Sequence, residues 1–316
     1  MRPLSVRRLV IPLSMVMLAA CSGGSSPNDG AGDATTDKLT QVLDRGTLVL
    51  STDLDYAPQS FEVEGASRAP DTKCADNQLT GLEVSGYDAE TGKAVAAALG
   101  VEPCFVAPQW VEITGGSWGE RWDLAYGSGA IDADRMRYLY VTQPYYILPA
   151  FAFVPEDSSA HRPEDLSGAA VGACASCTHE NYLLGTLDLP GFDGTYLITG
   201  PEVAAYTVEG PGLEDAARGR IDAFVCAEQV GDRAIADGLA LRKIGGPLFD
   251  EYATGWVDKS SEFDVRHFVD RLNEVVAGLH ADGTLAELSE EYFGKDYTSA
   301  AGGFDLSSVG QEVAAS

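Results

Sequence analysis

The chain runs to 316 residues with 48 acidic and 21 basic side chains, a formal net charge of −27, and that balance excludes a nucleic-acid binder because the phosphate backbone would be repelled. Hydrophobic residues make up 45% and charged ones 22%, which excludes wholesale disorder and collagen-like repetition. The length suggests about two domains of 100–200 residues each.

Residues 1–20 read as an export signal. Arg2, Arg7 and Arg8 precede an apolar run from Leu9 to Leu18, and Ala19-Ala20-Cys21 follows with small residues at a cut point. An apolar core of about ten residues is too short to cross a bilayer, which takes about 20. The ending Leu18-Ala19-Ala20-Cys21 is similar to the bacterial lipobox, which implies an acylated Cys21 as the mature N-terminus; an ordinary signal with a bystander cysteine is the alternative. Cleavage removes three arginines and no acid, so lipid, not the protein's own field, would hold the chain at the membrane. Residues 21–38 are mostly Ser, Gly, Asp, Asn, Thr and Pro, which cannot bury a core and read as a flexible tether. Residues 298–316 are poor in large apolar side chains and read as a loose tail.

Between these ends the pattern alternates. Leu48-Val49-Leu50 reads as a buried strand that gives way to a polar, proline-marked loop at Asp53, Asp55, Tyr56 and Pro58. Gly86-Tyr87-Asp88 leads into a helix through Leu99 with Gly100 as its C-terminal cap. Strands are predicted at 104–107, 122–126, 171–174 and 221–226, and helices at 178–184 and 213–218. Strand alternating with helix in this way predicts α/β architecture with largely parallel sheets. Phe263, Val265, Phe268, Val269, Leu272, Val275, Val276 and Leu279 recur near every 3.6 residues and predict a long amphipathic helix ended by Asp282-Gly283. Thr284 with Glu287 then predicts a capping box opening a second helix that buries Leu285, Leu288, Tyr292 and Phe293.

Taken in order, several of these segments resemble one family, the type II extracellular solute-binding proteins of ABC importers that carry polar amino acids (family 3). The matching residues are Thr52-Asp53-Leu54-Asp55-Tyr56-Ala57-Pro58, Gly86-Tyr87-Asp88-Ala89-Glu90, the stretch from Trp122 to Arg135, and Val141-Thr142-Gln143-Pro144-Tyr145-Tyr146. Asp165 to Gly172, Gly219-Arg220-Ile221-Asp222-Ala223 and Ala281 to Leu285 continue the series. No one motif is specific, but their order and spacing together are. The resemblance implies a two-lobed α/β fold, each lobe a mostly parallel sheet flanked by helices. Lobe 1 would comprise 39–147 and 253–297, lobe 2 would comprise 148–252, and crossings are expected near 148–154 and 249–257. It implies a ligand between the lobes, ABC permease subunits as partners, action as a monomer, and no cofactor or metal.

The physical logic agrees with a cleft that holds a zwitterion, because strand ends and helix N-termini there offer unpaired N–H groups to its carboxylate. Arg135, with Asp132 as N-cap, is the candidate bidentate clamp; its bland alternative is a surface salt bridge to Asp132 or Asp134. By matching positions, Asp53 lies in the first binding loop, and Tyr56 and Trp110 would form aromatic walls, the alternative for each being core packing. Gly127, Ser128 and Gly129 would offer backbone groups and one hydroxyl from the first lobe. Ser176, Cys177 and Thr178 would do so from the second, where a plain N-cap role also fits Thr178. Two positions depart from the family pattern. Ala130 stands where a Ser or Thr usually helps bind the carboxylate, and Ala227 where an Asp usually meets the ligand's ammonium, with Glu228 as its possible substitute. An ammonium without a partner is costly to desolvate, so the ligand need not be an ordinary α-amino acid.

Of six cysteines, five remain beside Cys21, an odd number that leaves at least one unpaired within the chain. Cys74 and Cys104 both map to lobe 1 and are expected to pair; a further disulfide is expected within Cys174, Cys177 and Cys226. Zinc at Cys174-x-x-Cys177 would need more ligands than His179 and Cys226 supply without strain, and the surroundings do not match a thioredoxin redox pair. Gly115-Gly116-Ser117-Trp118-Gly119 imitates a nucleophile elbow but precedes a strand where a helix is required. Gly86 to Lys93 fails as a phosphate loop, and His161, His179, His267 and His280 lack metalloprotease spacing.

The expected function is therefore capture of a small polar solute, an amino acid or related carboxylate, outside the cell by a lipid-anchored, non-enzymatic subunit of an ABC importer. The rival is an enzyme on the same scaffold, since enzymes that dehydrate cyclohexadienyl acids resemble these receptors; it would need a general acid, for which Glu228 is the candidate. A receptor feeding a signalling partner is the third reading.

Overall fold

The computed structural model describes residues 37–311. The export signal, the acylation site at Cys21 and nearly all of the tether lie outside the described residues.

Asp37 caps the first described helix. Its carboxylate accepts from the Thr40 N–H at 2.9 Å and caps α1 (Lys38–Arg45), satisfying one of the free donors at a helix start. β1 (Thr47–Ser51) is buried at every position, which explains its unbroken apolar run. Short strands β2 (Asp55–Tyr56), β3 (Ser60–Glu62), β4 (Leu79–Thr80) and β5 (Val84–Ser85) follow. α2 (Tyr87–Leu99) begins and ends at the expected glycines. Gly86 has φ of 114°, and a Cβ there would stand 2.4 Å from the Gln59 carbonyl oxygen, so both conformation and space require glycine. β6 (Glu102–Val106), α3 (Trp110–Thr114), β7 (Leu124–Ala125) and β8 (Leu139–Val141) complete the first stretch.

The second stretch runs β9 (Tyr146–Pro155), β10 (Ala170–Cys174), α4 (Thr178–Leu184), β11 (Glu202–Tyr206), α5 (Glu209–Ala217), β12 (Ala223–Ala227), α6 (Glu228–Ala236) and β13 (Leu241–Ala253). β14 (Trp256–Asp258) returns to the first sheet, followed by α7 (Arg266–Ala281), α8 (Thr284–Phe293) and α9 (Ser299–Gly302). One sheet has the order β4-β6-β1-β7-β14-β8, the other β11-β10-β12-β9-β13, and β2-β3-β5 form a small third. β1 lies parallel between β6 and β7, and β10 parallel between β11 and β12, while β9 is antiparallel to β12 and β13. This is the two-lobed α/β architecture expected.

The chain passes between the sheets twice, after β8 and after β13, where Thr142 N–H donates to Gly255 O and Tyr145 N–H to Ala253 O, both at 2.9 Å. The first passage thus precedes the expected 148–154, which forms instead the buried interior of β9. Two further expectations are corrected. Thr284 is the first residue inside α8, not its cap: Gly283 is the cap, and Asp282 accepts from the Thr284 N–H at 3.0 Å. The stretch from 298 is not loose as far as 311. The Gln311 carboxamide pairs with both backbone groups of Val141 at 2.7 and 2.8 Å, and Phe304 packs 4.5 Å from the Tyr252 ring, so one glutamine and one aromatic anchor a segment of otherwise small residues. Cys74 is bonded to Cys104 and Cys174 to Cys177, leaving Cys226 free and buried.

Candidate functional site

The parallel strands of both sheets end at one cavity of about 620 Å³, open mouth included, the place where an open α/β sheet leaves loops and backbone N–H groups available. The first sheet supplies Asp53, Asp55 and Tyr56 beyond β1, Trp110 at the head of α3, and Gly127, Ser128, Ala130 and Arg135 beyond β7. The second supplies the Cys174–Cys177 disulfide, Thr178 and His179 beyond β10, Thr207, Val208 and Glu209 beyond β11, and Glu251 of β13.

Arg135 is fixed from below. Asp132 Oδ1 accepts from the N–H groups of Asp134 and Arg135 at 2.9 and 3.1 Å and starts the single turn Arg135–Arg137. The guanidinium lies 5.5 Å from the Trp110 ring and 5.2 Å from the Trp256 ring, and the residue is 9% exposed. The one hydrogen bond of its side chain among the described residues runs from Nη2 to Ser176 O at 3.4 Å. The surface ion-pair alternative does not hold: Arg135 is buried, Asp132 is engaged with backbone N–H groups, and Asp134, which is the N-cap of the turn in place of the expected Asp132, pairs with Arg137 at 3.1 Å. A planar fork of five donors, most of them unused, faces the cavity. Burial pulls its pKa down, while Asp132 and Glu251 oppose that.

Ser128, in the left-handed region at φ 59°, is held by a buried network. Its hydroxyl bonds Asp88 Oδ2 at 2.5 Å and Tyr146 Oη at 2.6 Å, and its N–H donates to Tyr145 Oη at 3.1 Å. Burial pushes Asp88 up to about 7 against the three hydroxyls that bond it. The Ser128 hydroxyl expected for the ligand is therefore already committed to Asp88.

On the opposite wall Thr178 Oγ1 donates to Glu251, so Thr178 is tied to a carboxylate and its hydroxyl does not cap α4. Burial pushes Glu251 up to about 8 against the opposing charge of Arg135. Glu209 is pushed to about 8 by burial first, then by Asp53 and Glu251; it is 6% exposed, and neither carboxyl oxygen has a hydrogen-bond partner among the described residues. Asp53 is raised by burial, though the Asp55 N–H bonds it at 3.0 Å. His179 is pulled down to about 3 by burial and the Arg135 charge, hence neutral, with Nδ1 3.5 and 3.6 Å from the two disulfide sulfurs. Cys174, Cys177 and His179 are the one group of metal-ligand type among the described residues, and its sulfurs are consumed in the disulfide.

Of the residues singled out from sequence, Asp53, Tyr56, Trp110, Gly127, Ser128, Arg135, Cys177 and Thr178 line the cavity. Ser176 lines the adjoining mouth. Gly129 does not: a Cβ there would lie 2.3 Å from the Trp256 ring, so it backs the wall without facing the solute space. Glu228 is a correction. It opens α6 and is held by Lys243 at 2.6 Å, Lys295 at 3.2 Å and the Tyr297 hydroxyl at 2.7 Å, partners that pull its pKa below the ordinary value despite burial. Glu209, Glu251 and His179 were missed. The rule that ligands meet the carboxyl ends of strands could have found Glu209, which opens α5 with Thr207 and Val208 between it and the end of β11.

The model of the bacterial extracellular solute-binding proteins, family 3, matches residues 48–295. The chain is similar to the L-cystine-binding protein TcyJ of Escherichia coli (strain K12), 26% identical over 290 residues that cover 90% of this chain and 95% of that protein. It is similar to the ABC transporter arginine-binding protein 1 of the same organism, 23% identical over 67% of this chain and 82% of that protein. Among solved structures, an ancestral amino acid-binding protein described as a precursor of cyclohexadienyl dehydratase superposes with a TM-score of 0.65 at 20% identity, over 82% of this chain and 100% of the other, a likeness of fold.

Proposed function

The chain belongs to family 3 of the bacterial extracellular solute-binding proteins, and from that premise we propose that it is the capture subunit of an ABC importer for a small polar solute bearing a carboxylate. One observation carries the reading: Arg135 presents a buried, desolvated guanidinium to the cavity with no carboxylate of the protein closing on it. A cation kept in that state is destabilising unless a ligand anion completes it, and a planar fork suits a carboxylate.

In this reading Tyr56 and Trp110 flank the solute, Gly127 offers its backbone, Ser128 shapes the floor with its N–H and hydroxyl already bonded, and Thr178 with Cys177 and Ser176 faces the solute from the other lobe. The lobes close around it by bending at the two passages. Cys21 carries lipid, and the folded part acts as a monomer outside the cell, reaching permease subunits from that anchor. The protein names of its relatives, an L-cystine-binding and an arginine-binding protein, support amino acids as the first ligands to try.

Calorimetry of the mature chain against the amino acids and small carboxylates tests this: micromolar or tighter binding of one class is expected, and no heat with any of them overturns it. An enzymatic reading is favoured by the carboxyls that stay protonated at neutral pH, since a general acid needs that state; mass spectrometry detecting loss of water from a cyclohexadienyl acid would establish it.

A further inference from the structure

We propose that Glu209 and Glu251 form the cation-binding half of the cavity, so that the captured solute carries a protonated nitrogen as well as a carboxylate, and the nitrogen lies against these two carboxyls.

This inference rests on the capture reading and narrows it from small polar solutes to zwitterions and cationic amino acids. The family's usual ammonium partner is replaced by Ala227, which is fully buried and does not reach the cavity lining. Glu228 is taken up by two lysines and a tyrosine. What lines the cavity instead is Glu209, a carboxyl almost entirely removed from water with both oxygens lacking a partner. A buried carboxyl in that state is unfavourable in the empty protein, and the chain supplies no cation to relieve it: among the described residues no salt bridge involves Glu209 or Glu251. Glu251 already accepts from Thr178, which holds one of its oxygens and leaves the other available. Arg135 and the acid pair line one space from opposite lobes, so a single solute touching both would span them.

Asp53 of the first lobe and Glu251 itself raise Glu209, while Arg135 lowers and Asp132 raises Glu251. Glu209 in turn pushes up the neutral Tyr56 and Cys226, and Glu251 pushes up Tyr56 and Tyr146. Burial raises both carboxyls, so they hold protons near neutral pH in the empty cavity. An arriving cation favours their ionised forms, and the protons leave to solvent as the solute binds. Affinity therefore rises with pH below about 8, by as much as about tenfold per pH unit for each proton released.

The test measures binding to the mature chain by calorimetry from pH 6 to 9 in buffers of different ionisation enthalpy. The probes are L-cystine with its deaminated analogue dithiodipropionate, and L-arginine with its decarboxylated analogue agmatine. Expected are binding of at least one amino acid, affinity for dithiodipropionate about 100-fold or more below that for cystine if cystine is the one bound, proton release on binding, and a loss of about 10-fold or more with E209Q or E251Q together with a flattened pH profile. Thermal melting of E209Q, which keeps the side-chain shape, checks that it folds. Equal affinity for dithiodipropionate and cystine, or unchanged affinity and pH profile in both variants, overturns the cation site while leaving capture intact. Agmatine binding as tightly as arginine counts against the Arg135 clamp alone. If neither cystine nor arginine binds, the same comparison is made with whichever amino acid the capture screen finds, and no binding of any amino acid overturns the capture reading for amino acids together with this site.

Discussion

The Arg135 guanidinium rests 5.2 Å from the centre of the Trp256 ring, a buried cation held on an aromatic face where a carboxylate could have neutralised it. Trp256 in turn lies against Gly129 and contacts the Trp110 ring at 5.7 Å. The cation is thus oriented by packing, which contributes about 2 kcal/mol at a desolvated site, while its hydrogen-bonding capacity is left over for a solute.

Replacing Arg135 with Met keeps the length and the contact with both tryptophans but deletes the charge. Binding is expected to weaken by about 2–5 kcal/mol. The ligand-free protein should melt at the same temperature or higher, since an incompletely paired buried cation disfavours the folded state. Calorimetry and thermal melting on one preparation measure both effects; lower melting with intact binding would assign Arg135 to structure instead.

The pH dependence of the empty protein follows from three buried carboxyls. Asp88 is raised to about 7, and Glu209 and Glu251 to about 8, from ordinary values of 3.8 and 4.5. Between those limits the folded state holds protons that the unfolded chain has released, so stability falls as pH rises through the window from about 4 to about 8. Carboxylates held below their ordinary range, such as Glu120 and Glu228, act in the opposite sense but only in more acidic solution. The melting temperature without ligand is expected to drop by about 5 °C or more between pH 5 and 8.5, and a flat or rising curve would contradict the burial assigned to these groups.

Gly129→Ala is expected to damage stability and binding together. The added methyl would overlap the Trp256 ring, and overpacking of this kind costs about 1–3 kcal/mol. Because the ring supports Arg135, the displaced tryptophan should also misaim the guanidinium and weaken binding about tenfold. Melting temperature and affinity that move independently would show that Trp256 does not position Arg135.

Much of this was legible in the sequence because strand-end loops leave local marks. Arg135, Tyr56, Trp110 and Thr178 follow apolar runs or head helices, and their residue types are uncommon enough to stand out. Glu209 and Glu251 were not legible for the converse reason: in a chain with 48 acids a glutamate is read as solvated surface, and only burial separates these two from the rest. Glu251 is also masked by its strand, where it follows the exposed Asp250 and precedes the half-buried Tyr252, so its neighbours do not mark it as buried. The misreading of Glu228 came from adjacency. One step past Ala227 begins α6 and turns the side chain toward Lys243 and Lys295, a change of direction that linear spacing does not reveal.

Glu228→Ala provides the contrast to the cavity acids. It removes the carboxylate that joins β13 through Lys243 to the C-terminal segment through Lys295 and Tyr297, and a loss of about 1–3 kcal/mol of stability is expected from the buried hydroxyl left without a partner. Binding should stay within about twofold of the unmodified protein. A loss of affinity as large as that of an Arg135 variant would return Glu228 to the cavity.

The two disulfides should separate in the same manner. Cys74 and Cys104 close 30 residues of chain, so removing both sulfurs as a double alanine variant is expected to cost about 3–4 kcal/mol of stability through the freed unfolded state, with affinity little changed because neither lines the cavity. Cys174 and Cys177 are three residues apart and constrain the unfolded chain far less, but their loop carries the Ser176 carbonyl that meets Arg135 and the Thr178 hydroxyl that meets Glu251. A Cys174→Ala, Cys177→Ala variant should therefore melt close to the unmodified protein and bind about tenfold more weakly, by denaturant unfolding and calorimetry respectively. If its stability falls as far as that of the Cys74 and Cys104 variant while affinity holds, the loop between β10 and α4 does not aim the cavity's polar groups.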